Sequence, residues 1–279
     1  MSKIPLWMRL LRFYSLYAPS QRGVYRVASW LYQRLSIPNL EVEATLDRTL
    51  RLSLRLPIWV DYNIYCCGIY EKPLARFFTG VLHPEATVFD VGAYIGQYTL
   101  LASKYAPRGL VVAFEPHPQS HARLLAHVSK NKLNNVLTFP KAAGHEKGIA
   151  AFEFSHQYFD SCLIPANTSS ECELTIVEVV TLDSLAKELN FRKIDVVKLD
   201  VEGAEGLVLR GAVEVLERFR PTLIVEIDRI REKRWGDSPE SLLKFLEHYG
   251  YTIYLLKGWK IERLSSYLLN YANVIAVAQ

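Results

Sequence analysis

A glycine turn that follows a carboxylate is the first feature of this sequence that could do chemistry. Asp90 lies near the end of an apolar run, Gly92 and Gly96 come next, and a helical pattern follows. A strand that feeds a helix through such a turn brings backbone N–H groups and a helix N-terminus to a ligand. Ala93-Tyr94 stands where the dinucleotide fingerprint has its second glycine, beside the pyrophosphate. The turn therefore predicts a nucleotide-type site for a positively charged ligand.

A second carboxylate, Glu115, ends the next apolar run, 25 residues after Asp90, and Pro116 follows it. An acid at the tip of the second strand of a βαβ unit can accept hydrogen bonds from both hydroxyls of a ribose. For Glu115 alone, the alternative is a solvated strand end. In this order and spacing the two acids favour a ligand that contains adenosine.

Further acids lie at the ends of two later apolar runs. In open α/β sheets, ligands bind beyond the carboxyl ends of the strands at the switch point, which here falls between Asp90 and Asp200. We therefore expect Asp200 beside the reacting group, with Glu202 and Glu226 as the other catalytic candidates. Crowded carboxylates raise one another's pKa, which could tune one of them as a general base. Glu205 is more simply explained as the start of a helix, where the dipole favours an acid.

Three other interpretations concern the residues near these strand ends. Asp200 and Glu226 could share a metal ion, but the sequence offers no clear third ligand, so we predict none. Lys198 lies within a strand and is predicted to form an ion pair with one of the acids. His156 lies in an insertion and could act as a base only if that insertion folds over the site.

The elements that must position these residues alternate along the chain. Strands are predicted at 87–91, 110–115, 136–139, 195–200, 222–227, 251–256 and 273–277, and helices at 96–105, 118–131, 182–190, 205–218 and 238–249. Apolar strands separated by amphipathic helices indicate a parallel sheet covered on both faces. Residues 149–180 contain two strand-like runs and are predicted to form an inserted hairpin. Residues 257–272 lack a capped helix, which permits a hairpin and an antiparallel last strand.

A mostly parallel seven-stranded sheet with an antiparallel last strand differs from the all-parallel dinucleotide fold. It is the α/β architecture of class I S-adenosylmethionine (SAM) methyltransferases. We therefore predict a SAM-methyltransferase domain over 85–279, preceded by an extension over 1–84. The extension should contain two helices, 4–17 and 20–36, and a hairpin over 41–62.

The charge of the chain is uneven. The net charge is +4, but residues 1–40 carry six basic residues and no acid, so the rest of the chain has a net charge of −2. A slightly acidic body does not favour nucleic-acid binding. The basic and aromatic N-terminus, residues 1–36, either caps the main domain or lies on an anionic membrane. We expect a cytoplasmic protein, with peripheral attachment at the inner face of the membrane as the alternative.

The cysteines and the hydropathy profile give no sign of a metal site, a disulfide framework or a membrane span. The four cysteines lack metal-ligand spacing; Cys162 and Cys172 could pair, but free thiols are expected in a cytosolic protein. No run of 18 apolar residues occurs, so no transmembrane helix is expected. The N-terminus does not resemble a signal peptide, because Arg9 and Arg12 interrupt its apolar stretch.

Three blocks together resemble the FkbM-type SAM-dependent methyltransferases. They are the glycine turn 90–99, Ala113-Phe-Glu-Pro116, and Lys198-Leu-Asp-Val-Glu-Gly-Ala-Glu205, with Gly68-Ile-Tyr-Glu71 upstream. The resemblance covers roughly residues 60–279. It implies O-methylation of a hydroxyl on a sugar or glycan, a glycolipid or a secondary metabolite. The residues it implies for SAM binding are Tyr70, Asp90, Gly92, Ala93, Gly96, Glu115, Pro116 and Ala142, with Ala142 along the adenine.

Other functions remain open at this point. An NAD-dependent sugar oxidoreductase or epimerase would need a second glycine near position 94 and a Tyr-x-x-x-Lys motif, and neither is present. A non-catalytic SAM-binding module fits less well, because the turn and both acids are intact. A nucleic-acid methyltransferase lacks its Asn-Pro-Pro-Tyr-type block. The sequence does not identify the acceptor, the general base or the oligomeric state.

Overall fold

A computed structural model describes residues 4–17, 23–154, 161–165 and 173–279. The strands are β1 Glu41–Leu46, β2 Leu50–Arg55, β3 Thr87–Val91, β4 Leu110–Phe114, β5 Val136–Phe139, β6 Ala142–Ala143, β7 Gly148–Phe154, β8 Cys162–Leu163, β9 Glu173–Val180, β10 Val196–Leu199, β11 Thr222–Asp228, β12 Tyr251–Lys257, β13 Lys260–Arg263 and β14 Tyr271–Ala278. The α-helices are α1 Leu6–Tyr17, α2 Val24–Arg34, α3 Trp59–Cys67, α4 Lys72–Val81, α5 Gln97–Tyr105, α6 Pro118–Lys130, α7 Leu182–Glu188, α8 Glu205–Arg210, α9 Val213–Phe219, α10 Arg229–Glu232 and α11 Pro239–His248.

The central sheet has eight strands in the order β13-β12-β14-β11-β10-β3-β4-β5. The five strands from β11 to β5 pair in parallel, and β14 is antiparallel to both of its neighbours. The predicted α/β fold, its seven strands and its antiparallel last strand are therefore confirmed. The eighth strand, β13, forms a hairpin with β12 at the sheet edge, within the segment where a hairpin was expected.

Helices on both faces bury the sheet, as the apolar runs predict. All five residues of β3 are buried. Side chains alternate between the two faces of a strand: Val88 packs in the core cluster on one face, and Phe89 and Val91 pack in the cluster on the other. The carboxyl ends of β3, β4, β10 and β11 consequently meet at one edge, which is where the acids of the sequence fall.

One helix predicted from the sequence is two separate helices in the structure. Residues 205–218 form α8 and α9, which are separated at Gly211. A Cβ atom at Gly211 would lie 1.9 Å from the carbonyl oxygen of Gly144, so the backbone there packs directly against another backbone. The Gly211 carbonyl also accepts a hydrogen bond from the N–H of Asp183. The prediction of one continuous helix was wrong, because these contacts come from distant parts of the chain.

The N-terminal segment packs against the sheet domain. Met8, Leu46, Leu100 and Val111 belong to one hydrophobic cluster. The predicted helices correspond to α1 and α2; the predicted break at Ala18-Pro19 lies outside the described residues.

The predicted hairpin is β1–β2, but it ends at Arg55. Residues 59–62, which were assigned to the hairpin, instead open α3. The reason is a buried carboxylate, Asp61, which forms an ion pair with Arg123 and accepts a hydrogen bond from the Arg55 N–H. Asp61 also accepts from the Tyr94 hydroxyl at 3.1 Å, so it ties the extension to the glycine turn.

The inserted segment forms a second, four-stranded sheet in the order β6-β9-β7-β8. β7 and β9 pair antiparallel, in agreement with the predicted hairpin. His156 and Cys172 lie outside the described residues. Cys66, Cys67 and Cys162 are free thiols, and burial raises the pKa of Cys66 and of Cys67 to about 12. Within the described ranges, no helix is long and apolar enough to span a bilayer.

Candidate active site

A cavity opens at the carboxyl ends of β3, β4, β10 and β11. Nine of the eleven residues proposed from the sequence line it: Tyr70, Gly92, Ala93, Glu115, Pro116, Ala142, Asp200, Glu202 and Glu226. The two that do not are Asp90 and Gly96. The topology therefore gathers residues that are up to 156 positions apart in the chain.

The glycine turn brings the end of β3 close to Asp200, the residue that follows β10. Gly92 has φ +83°, and a Cβ atom there would lie 1.8 Å from the Asp200 carbonyl oxygen. A side chain is therefore excluded both by the left-handed conformation and by the contact. Tyr94, which stands in place of a second glycine, also has a positive φ of 51°. Its N–H donates to Glu115 Oε2 at 2.7 Å, so the turn is fixed to the next strand.

Glu115 is held by backbone donors on both of its carboxylate oxygens. Besides the Tyr94 N–H, the N–H of His117 donates to Oε1 at 2.8 Å. Glu115 is 6% exposed, and burial raises its pKa to about 7 although the two N–H groups oppose this shift. Each oxygen keeps a lone pair for a further donor. The carboxylate is therefore pre-oriented at the cavity wall, as a ribose-binding acid would be.

Asp90 and Gly96 lie behind the cavity. Asp90 is fully buried, and its Oδ2 accepts a hydrogen bond from the Thr99 hydroxyl at 2.6 Å. Burial raises the pKa of Asp90. Gly96 is the N-cap of α5 at φ +94°, where a Cβ would lie 2.5 Å from Leu124 Cδ1. In this structure both residues shape the turn rather than the cavity surface.

Asp200 lies beside a buried lysine. Its Oδ2 accepts from Lys198 Nζ at 2.8 Å, which is the ion pair predicted for that lysine. The Lys198 ammonium also lies 4.6 Å from the centre of the Tyr98 ring. Asp200 and Asp90 raise the pKa of Lys198 against the opposing effect of its burial. The Tyr98 hydroxyl has no hydrogen-bond partner among the described residues, although the ring lines the cavity.

The other two catalytic candidates also have partners. Glu226 Oε1 accepts from the Tyr271 hydroxyl at 2.5 Å, and burial together with Asp200 raises the pKa of Glu226 well above its usual range. Glu202 forms an ion pair with Arg231. Carboxylate oxygens of Asp200, Glu202 and Glu226 all lie within 4.8 Å of one another. Glu202, proposed from the sequence only as a catalytic candidate, thus lies where a third metal ligand would be needed. The absence of a metal stays a prediction.

Glu71 and Gln97 are polar lining residues that were not proposed from the sequence. Glu71 adopts a left-handed conformation with φ 49° and accepts a hydrogen bond from the Asn273 amide at 3.1 Å. Burial, then Asp200, raises the pKa of Glu71 to about 7. Gln97 exchanges hydrogen bonds with the backbone of Tyr70 at 2.8 and 3.0 Å. Glu71 ends the Gly68-Ile-Tyr-Glu71 block, but no local spacing linked that block to the acids of the sheet.

Acidic side chains dominate the wall of the cavity, and burial raises the pKa of three of them, Glu71, Glu115 and Glu226. Five carboxylates line the cavity, those of Glu71, Glu115, Asp200, Glu202 and Glu226. Among the described lining residues, Lys198 is the basic one. Such a wall opposes a pyrophosphate and attracts a cation. An acidic wall of this kind is compatible with a ligand that carries a sulfonium and an ammonium, and the oriented Glu115 carboxylate keeps lone pairs for hydroxyl donors.

Comparison with known proteins gives a family match. The profile described as Methyltransferase FkbM domain matches residues 90–253, more than half of the chain. Hexuronic acid methyltransferase AglP of Haloferax volcanii is 29% identical over 180 residues, covering 63% of this chain and 67% of that protein. The 2-O-methyltransferase NoeI of Sinorhizobium fredii is 26% identical over 151 residues, covering 49% of this chain and 61% of that protein.

Longer and structural matches are also found. AMB antimetabolite synthetase AmbE of Pseudomonas aeruginosa is 24% identical over 254 residues, but the match spans only 12% of that protein's length. A solved structure of methyltransferase FkbM from Methylobacillus flagellatus matches with a TM-score of 0.47 and 14% identity. That match covers 95% of this chain and 62% of the other.

Proposed function

This chain belongs to the FkbM methyltransferase family, and on that premise we propose that it transfers a methyl group from SAM to a sugar hydroxyl. The observation that carries the proposal is Glu115, held at the wall of an acidic cavity beside the turn at Gly92. The names of two relatives, a hexuronic acid methyltransferase and a 2-O-methyltransferase, support a sugar acceptor. Glycans, glycolipids and hydroxylated secondary metabolites are the acceptor classes that the proposal includes.

The residues assigned to SAM lie in the glycine turn, just after β4, in β6 and just before α4. Glu115 accepts hydrogen bonds from the ribose, the turn at Gly92 and Ala93 admits the ligand close to the backbone, and Ala142 lies along the adenine. Tyr70 and Pro116 close the sides, while Asp90 and Gly96 hold the turn in shape. When bound, SAM supplies an electrophilic methyl group on a positively charged sulfur.

The acidic wall of Asp200, Glu202 and Glu226 is assigned to the acceptor side. Methyl transfer forms a C–O bond as the C–S bond breaks, and the hydroxyl must lose its proton. Asp200 accepts that proton or its hydrogen bond and orients the oxygen. Lys198, at 2.8 Å, keeps the Asp200 carboxylate in one position. Glu226, held by Tyr271, and Glu202, paired with Arg231, complete the acidic wall at the opening.

We expect calorimetry to show saturable binding of SAM and of its demethylated product, and no binding of NAD. The physical reason is charge: the five carboxylates oppose a pyrophosphate and favour a sulfonium. A titration of the full-length chain with each ligand, at one salt concentration, measures this. NAD binding without SAM binding would contradict the proposed function.

We further propose that residues 1–84 form an N-terminal extension whose first part, residues 1–36, holds the enzyme on an anionic membrane. Helix α1 packs inward through Met8 and exposes a second apolar stripe at helical spacing, namely Leu6, Leu10, Phe13 and Tyr17, which are 59–71% exposed. Arg9 is exposed beside this stripe. Exposed apolar and basic side chains on one helix are what an interfacial helix needs.

Vesicle cosedimentation is expected to show salt-sensitive binding to anionic vesicles. Each basic residue near such a surface contributes about 1 kcal/mol, and salt weakens that attraction. The charge-reduced variant Arg9→Gln together with Phe13→Ser should lose the binding and keep its SAM affinity. Arg108→Gln, an exposed arginine paired with Glu85 at 3.1 Å, is the matched control. If the full-length protein does not bind anionic vesicles at low salt, the proposal is contradicted and the extension is a structural cap.

A further inference from the structure

A second cavity adjoins the first and shares a wall with it. It lies between the start of α2, the start of α4 and the turn from β12 to β13, and its volume is about 560 Å³, within the range of small-molecule sites. Glu71 lines both cavities. Its hydrogen-bond partner Asn273 also lines the second cavity. Glu71 and its partner therefore lie where the two cavities adjoin.

The second cavity differs from the first in charge. It carries two basic side chains, Arg26 and Lys72. In the described part of the chain neither forms an ion pair, because Glu71, the carboxylate in this wall, is bonded to Asn273 instead. Burial lowers the pKa of Lys72, as expected for an ammonium that loses water without gaining an anion. These cations are available to an anionic ligand.

An aromatic surface lies beside the two cations. Trp259, in the turn between β12 and β13, is 61% exposed and lines the cavity, and Tyr25 on α2 is 49% exposed and lines it too. The guanidinium of Arg76 lies 5.9 Å from the centre of the Trp259 ring, which restricts the ring. The flat apolar face of an indole can pack against the C–H face of a sugar ring.

We infer that the second cavity is the acceptor subsite and that it takes a sugar bearing an anionic group, a carboxylate or a phosphate. The sugar ring packs on Trp259, the anion meets Lys72 and Arg26, and a hydroxyl reaches past Glu71 toward Asp200. Glu71 acts here as a positioning residue, since it lies where the two cavities meet. This inference rests on the proposed function, because it assigns an acceptor to a methyl-transfer site.

The test is sugar binding to full-length protein saturated with the demethylated product of SAM. The probes are methyl glucopyranosiduronate, glucose 1-phosphate and neutral methyl glucopyranoside, titrated by calorimetry or by saturation-transfer NMR. We expect at least one anionic probe to bind about tenfold more tightly than the neutral one, since a charge-assisted hydrogen bond discriminates on this scale. Whichever anionic probe binds more tightly identifies carboxylate or phosphate as the recognised group. The preference should decline with salt.

Variants locate the recognition. Lys72→Met is expected to abolish the preference for the anionic probes. Arg26→Met is expected to weaken that preference, and it replaces Lys72→Met in the test if the latter fails to fold. The matched control is Lys187→Met, which removes a surface lysine of α7 paired with Glu214 of α9 and should change nothing. Trp259→Ala should weaken all three probes together, whereas Leu268→Ala, another exposed apolar truncation, should not.

The outcomes separate this inference from the function it rests on. If the SAM product binds but the neutral glucoside binds as tightly as the anionic probes, the acceptor inference is overturned and the methyltransferase proposal survives. The same holds if Lys72→Met and Lys187→Met behave alike. If the SAM product does not bind, the proposed function fails; an anion preference that depends on Lys72 would still establish the second cavity as an anionic-sugar site.

Discussion

Replacing Asp200 with Asn is expected to lower kcat by about 100-fold or more and to leave the Kd for SAM within about threefold. Asp200 lines the cavity next to Glu226 and forms its ion pair with Lys198 inside the protein. The amide keeps the shape of the side chain but cannot take a proton from a hydroxyl. It also removes the negative charge that orients the acceptor. Single-turnover methyl transfer and calorimetry measure the two effects separately.

Asp195→Asn is the matched control for this experiment. Asp195 immediately precedes the same strand at its opposite end, where it accepts a hydrogen bond from the Thr87 N–H at 2.7 Å. That substitution should lower thermal stability slightly and leave kcat unchanged. Because Asp200→Asn leaves Lys198 with one fewer counter-charge, its unfolding temperature must be measured as well. Equal losses of kcat and SAM affinity would make Asp200 a cofactor ligand instead of a residue acting on the acceptor.

Glu115→Ala is expected to weaken SAM binding by about 10- to 150-fold, which corresponds to about 1.5–3 kcal/mol. The loss comes from one or two charge-assisted hydrogen bonds to the ribose. The variant also leaves the N–H groups of Tyr94 and His117 without their acceptors. A looser glycine turn would therefore add to the loss.

Glu115→Gln separates these two contributions. The amide oxygen still accepts one backbone hydrogen bond, so the turn should be largely retained while the charge is lost. We expect an intermediate affinity for SAM. Glu85→Ala, which removes an exposed acid paired with Arg108, is the control for a general loss of negative charge. An unchanged Kd in Glu115→Ala would place the adenosine elsewhere in the protein.

Local patterns were enough to predict the framework of the site. Apolar runs of strand length gave β3, β4, β5, β10 and β11 to within about two residues of their observed bounds. The glycine turn after β3 and the acid after β4 could be located because strand, turn and helix signals depend on neighbouring residues. The same local logic assigned Glu205 to a helix start, where it begins α8.

Local patterns failed where a distant part of the chain decides the outcome. Gly211 divides a predicted helix because it packs on the backbone of Gly144. Asp90 was expected to face the ligand, yet strand alternation and the bond to Thr99 place it behind the cavity. Nothing in the spacing of the sequence reports such contacts, since each depends on how two elements pack.

The sequence by itself determined the fold class, the position of the glycine turn and the acids at the strand ends, because hydrophobic period and turn chemistry are local. The tertiary structure alone decided which of those acids are exposed to the cavity and which groups neutralise them. In the tertiary structure Glu71 accepts a hydrogen bond from Asn273, which is 202 positions away, and Glu202 forms an ion pair with Arg231. The tertiary structure also placed Lys72 and Trp259 in the wall of one second cavity. These pairings follow from sheet order and helix packing, which bring distant residues together at distances that no sequence period encodes.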